Sequence, residues 1–169
     1  MKTFFNDEMA APNVLRVPID RGITQQLGPI VRSKAARLML YSKTPPWRSD
    51  IRWYSARSRR DFRRFRSVFD GLDVARHVAP YLDLASEVRL YNGFLVIRSS
   101  CTEPNFHVDW TDANNEGFTL MTPLTDNCRG FGMLYRKADG SVGEYDYKVG
   151  EALIFGERFR PLNQAGRFR

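Results

Sequence analysis

Phe106-His107-Val108-Asp109-Trp110 is the stretch on which the reading of this chain turns. Taken as a β-strand, its side chains alternate between two faces. His107 and Asp109 then project from one side. Phe106, Val108 and Trp110 project from the other, into apolar packing. An imidazole and a carboxylate two residues apart on a rigid strand supply two donors of the 2-His-1-carboxylate facial triad, the arrangement that holds non-haem Fe(II). The same spacing also describes an ordinary surface pair, so the flanking sequence has to decide.

The flanks read as short strands. Upstream, residues 88–99 (V-R-L-Y-N-G-F-L-V-I-R-S) predict one long strand, apolar on both faces in its middle and so covered on both sides. Downstream, 111–117 is a polar loop, and 118–122 is a strand stopped at Pro123. Residues 125–130 turn, 131–136 form a strand, and Asp139-Gly140 is a strong hairpin signal. Residues 144–149 alternate tyrosine with charge, Gly150 makes a tight turn, and 152–155 is a buried strand. Short strands at a spacing of about ten residues predict an all-β sandwich or barrel, here a jelly roll.

The first half of the chain reads differently. Residues 1–28 look loosely organised, because Pro12, Pro18 and Gly22 interrupt any long element, although Val14, Val17, Ile19 and Ile23 can pack on a core. A helix is expected from Pro29, and Pro45-Pro46 marks a break. Phe62, Phe65, Phe69 and Leu72 form one apolar stripe at helical spacing, ended at Gly71. Asp73 then serves as N-cap of a second helix carrying Val74, Val78, Tyr81 and Leu82, shortened by Pro80. His77, beside that stripe, reads as a boundary residue rather than a ligand. The expectation is a mainly β domain with N-terminal helices, one domain over 1–169. Residues 1–86 brace the core, 87–159 form the jelly roll, and 160–169 are a short tail.

Composition narrows the function. At 43% hydrophobic and 13% aromatic, the chain has enough apolar material to fold rather than stay disordered. No run reaches the ~18 apolar residues of a membrane span, and the N-terminus lacks the apolar core of a secretory signal. Cys101 and Cys128 have no metal-binding spacing and read as free thiols of a cytoplasmic protein. The net charge of +7 is local. From Arg48 to Arg66 there are eight arginines against two aspartates, which accounts for all but one unit of it. Trp47, Trp53 and Tyr54 interleave with those arginines, the composition of a face for nucleic acid or another acidic partner. A solvated helix face with core aromatics has the same composition.

The order of H-x-D, T-x-x-T-P-L, D-G hairpin and G-E-A-L-I-F resembles the Fe(II)- and 2-oxoglutarate-dependent dioxygenases, whose core is a double-stranded β-helix, a cupin-like jelly roll. The resemblance spans about residues 88–159. It implies His107 and Asp109 as metal ligands, Fe(II) and 2-oxoglutarate as cofactors, and C–H hydroxylation as the reaction. It also implies a distal histidine and two further core strands. Instead the sequence places Pro161 near the expected ligand and has no histidine after His107. The expectation is therefore an oxygenase-like protein whose core is incomplete at the C-terminus, a truncated or pseudo-enzyme form lacking the third ligand. Its unpaired sheet edges would favour a homodimer. The alternative is a non-catalytic binding module that uses residues 48–66. A cupin-like binder of a sugar or small acid ranks behind both, because the cluster of histidines such metal sites use is absent.

Overall fold

The structure is a computed structural model and describes residues 14–33, 52–80, 87–97, 100–101, 117–125, 132–136, 139–156, 161–163 and 166–167. In chain order the elements are β1 (Val14–Pro18), α1 (Arg21–Gln25), α2 (Gly28–Arg32), β2 (Arg52–Ser55), α3 (Arg59–Gly71), α4 (Val74–Val78), β3 (Phe94–Ile97), β4 (Ser100–Cys101), β5 (Phe118–Met121), β6 (Gly132–Arg136), β7 (Val142–Asp146), β8 (Glu151–Gly156), β9 (Pro161–Asn163) and β10 (Gly166–Arg167). The described chain is mainly sheet, with its helices in the N-terminal half.

β8 is the strand around which the apolar packing is arranged. Antiparallel neighbours flank it, with Val14↔Phe155 to Pro18↔Glu151 on β1 and Phe118↔Gly156 to Met121↔Leu153 on β5. Strand alternation sends its side chains to two different cores. Ala152 and Ile154 join Leu15 and Val17 of β1, Phe65, Val68 and Leu72, and Val74 and Val78 of α4. Leu153 and Phe155 join Met133 of β6 and Tyr145 of β7. All four β8 side chains are 0–2% exposed. A continuous apolar run suits this position, since neither face of the strand meets water. Burying each large side chain there contributes about 1.5–3 kcal/mol.

The second sheet has the order β7-β6-β9. β6 and β7 form the expected hairpin, Gly132↔Asp146 to Arg136↔Val142. Gly140 takes φ +82°, and Asp139 Oδ1 accepts from the Ser141 amide at 2.8 Å and its hydroxyl at 2.6 Å. This is the short-range chemistry that makes Asp-Gly a turn signal. Gly150, at φ +91°, makes the tight turn into β8.

The segment expected to be a tail instead adds strands. β9 pairs with β6 from Tyr135↔Pro161 to Met133↔Asn163, and β10 pairs with β4. Pro161 is the first residue of an edge strand, where its missing N–H leaves the ladder intact. The antiparallel pairs β4·β10, β5·β8 and β6·β7 are nested: each lies inside the previous one along the sequence. These three pairs have the connectivity of a ribbon doubled back on itself, and the β6·β9 pair crosses that nesting.

Several local expectations shift. The loosely organised N-terminus contains β1, which terminates at Pro18 as an edge strand should. The helix expected from Pro29 is described as Gly28–Arg32, with Ser33 extended behind it. Of the long strand expected over 88–99, the described residues are regular at Phe94–Ile97, and residues 87–93 form no ladder. Among the described residues its one partner is β2; Phe94 and Val96 are 43% and 45% exposed and Leu95 is buried. The buried stripe of α3 is Phe65, Val68 and Leu72, with Phe69 half-buried beside it. α3 ends at Gly71 as expected. The left-handed residue is Asp73 (φ 47°, ψ 49°), which stands at the cap of α4 without donating or accepting a side-chain cap bond. Asp tolerates that backbone region better than most residues, so it serves the turn rather than the cap.

Candidate functional site

His107 and Asp109 lie outside the described residues, as do Trp47, Arg48 and Cys128. The arginine segment is described from Arg52 onward. Its local order starts with Ser58. The Ser58 hydroxyl accepts from the Asp61 amide at 3.1 Å and donates to Asp61 Oδ2 at 2.6 Å, a cap with an acidic residue at the third helical position. The hydrogen bond from Ser58, then that from Tyr54, and then the charges of Arg64 and Arg60 hold the Asp61 carboxyl below its usual range. Burial and the nearby Asp61 carboxylate raise the Tyr54 phenol.

Once α3 starts at Arg59, its arginines divide into two groups. Arg66 is neutralised: it binds Asp70 at 2.7 Å and approaches Glu87 at 3.7 Å, and Glu87 also meets Arg89 at 3.5 Å. Arg60, Arg63 and Arg64 form no ion pair with any described residue. Together with Ser67 of α3 and Gln26 at the end of α1, they line an open groove of about 360 Å³. Positions 60, 63, 64 and 67 are i, i+3, i+4 and i+7, one face of the helix. The buried residues Phe65, Val68 and Leu72 hold the other face on the core, so the groove face is turned outward.

This arrangement carries a local electrostatic cost. Arg59 and Arg60 sit in the first turn of α3, where the helix dipole disfavours cations. Arg59/Arg63 and Arg60/Arg64 are like-charge i,i+4 pairs, each destabilising an isolated helix by about 0.2–0.5 kcal/mol. Asp61 is the one acidic residue in that turn.

Tyr54 is half-buried against the core cluster, and Trp53 stands opposite Val96 in the β2–β3 register. Sequence reasoning missed Gln26 and Ser67, because neither belongs to a motif. It also did not single out Arg66 as the ion-paired arginine of α3, although Asp70 four residues later was a readable signal.

A second polar cluster lies beside β8. The Tyr145 hydroxyl and Glu151 Oε1 are buried and neither makes a hydrogen bond. Burial first, and then the neighbouring Glu151 carboxylate, push the Tyr145 phenol far above its ordinary range. The Arg16 guanidinium sits 4.9 Å from the Tyr145 ring centroid and donates to the Glu144 carbonyl at 3.3 Å. The Tyr147 ring meets Tyr145 edge-on at 5.7 Å.

His77, on α4, is half-buried in the last turn of that helix. Among the described residues no three or more His, Cys, Asp or Glu side chains gather as a metal cluster, and no helix is long and apolar enough to cross a membrane. No protein-family model, no curated protein and no solved structure matches the chain.

Proposed function

We propose that the chain is built on a double-stranded β-helix of the kind used by Fe(II)- and 2-oxoglutarate-dependent oxygenases, with His107 and Asp109 as its metal-binding pair. The nested antiparallel pairing of β4·β10, β5·β8 and β6·β7 carries this reading. A ribbon doubled back and then rolled gives two facing antiparallel sheets, which is the construction of a jelly roll. Two antiparallel sheets, β1-β8-β5 and β7-β6-β9, share the apolar cluster of Met133, Tyr145, Leu153 and Phe155 and so support it. In sequence, the H-x-D falls between β4 and β5.

The donor set suits the metal in part. Imidazole and carboxylate are two of the three facial-triad donors, and residues 108–169 contain no histidine to add the third. His107 and Asp109 would hold Fe(II), which with 2-oxoglutarate supplies the oxidation of a substrate C–H bond. The chain's own part is to orient the substrate. Two donors bind iron more weakly than three.

The test is the visible charge-transfer absorption of the protein with Fe(II) and 2-oxoglutarate without oxygen, followed by succinate on admitting air. His107→Ala and Asp109→Ala should each abolish the band. A band unchanged in both variants, or no band and no succinate from the parent chain, would overturn the iron reading.

A further inference from the structure

We propose that the groove between α3 and the end of α1 is a binding site for a phosphoryl group, with Arg60, Arg63 and Arg64 as its cations and Gln26 and Ser67 as neutral partners. This site stands independently of the iron reading. Three observations meet there. The three guanidiniums line one concave surface and form no ion pair with any described residue, whereas Arg66 on the same helix is paired twice. Arg60 lies in the first turn of the helix, at the positive end of its dipole, and the three sit in like-charge i,i+3 and i,i+4 spacing, against the preference of an isolated helix. A bound anion relieves both effects. Among the described residues Asp61 offsets part of this charge, and a local preference set aside to this extent marks a place where function sets the sequence.

The chemistry selects phosphoryl among anions. Side chains at i, i+3 and i+4 lie close enough for three guanidiniums to converge on one group, and their planar forks match tetrahedral oxyanions in bidentate fashion. The Ser67 hydroxyl and the Gln26 amide can each donate to an oxygen the arginines leave uncovered. Asp61, whose oxygens are engaged by Ser58 and Tyr54, is the neighbouring carboxylate that keeps the site from being uniformly positive. A phosphorylated small molecule and the phosphodiester backbone of a nucleic acid present the same group.

The full chain is titrated with pyrophosphate and, separately, with a labelled single-stranded DNA dodecamer, at about 50 and 200 mM salt. Pyrophosphate should raise the thermal midpoint of the parent chain. The Arg60→Gln/Arg63→Gln/Arg64→Gln variant should lose about tenfold or more in affinity for whichever probe binds, Arg63→Gln alone an intermediate amount, and Arg66→Gln less than about twofold. Without ligand the triple variant should melt no lower than the parent, since like-charge repulsion is removed. Pyrophosphate binding without DNA binding assigns a small phosphorylated ligand. DNA binding with a salt slope that flattens in the triple variant assigns a phosphodiester. Binding of neither probe, equal affinity in parent and triple variant, or a loss in Arg66→Gln as large as in the triple variant would overturn the site.

Discussion

Phe94-Leu95-Val96-Ile97 and Ala152-Leu153-Ile154-Phe155 are four-residue apolar runs of similar composition, and they form strands of opposite character. In β8 all four side chains are at most 2% exposed, because ladders run along both edges and apolar clusters cover both faces. In β3 the ladder is two-stranded, Leu95 alone reaches the core, and Phe94 and Val96 keep more than two-fifths of their surface in water. Apolar composition sets the capacity for burial. The number of neighbouring layers sets how much of that capacity is used.

Core truncation probes this contrast most strongly. Ile154→Ala should destabilise by about 2–5 kcal/mol, whereas Val96→Ala should stay within about 1 kcal/mol. Urea midpoints measured on both variants check it, and equal losses would remove the distinction between the strands. Next comes Gly93, a tightly packed position just before β3. The Gly93 carbonyl accepts from the Ala56 amide at 2.9 Å, and a Cβ there would collide with the Phe65 ring. Gly93→Ala should therefore cost about 1–3 kcal/mol by overpacking. The same measurement reads it, and a neutral result would mean that α3 moves easily against β3.

The smallest effect concerns the polar edge of β8. Tyr145→Phe removes a buried hydroxyl that makes no hydrogen bond, so at neutral pH stability should change by less than about 1 kcal/mol. At alkaline pH the variants should diverge. The Tyr145 phenol is raised in the folded chain, so it stays protonated where the unfolded chain has already lost its proton. Its contribution is fully present below the ordinary tyrosine range near 10.0 and is lost as pH rises above it. Thermal midpoints of the parent chain should fall above that pH, and those of Tyr145→Phe should fall less. Parallel curves would show that Tyr145 does not govern the alkaline limb.

Much of the fold was legible where the signal is short-range. Asp139-Gly140 and Gly150 specify their turns through positive φ and local hydrogen bonds, so the β6–β7 hairpin and the entry to β8 follow from a few residues. The helical stripe of α3 was legible because its period repeats over the whole helix, although Val68 replaced Phe62 on the buried face. β1 and β9 were not legible. Pro18 read as a breaker and Pro161 as the residue standing near an expected ligand, and only the partner strands show them as edge-strand ends.

The site divides in the same way. Sequence alone determined that the positive charge is concentrated over residues 48–66, that His107 and Asp109 share one side of any strand they form, and that an apolar run precedes Gly156. Tertiary structure decided which apolar run became the central strand, that β4·β10, β5·β8 and β6·β7 pair one inside the other, and that Gln26 joins three particular arginines at one groove. Turns, caps and helix faces depend on neighbours within a few residues. Strand pairing and the groove depend on partners tens of residues away, which no local pattern encodes.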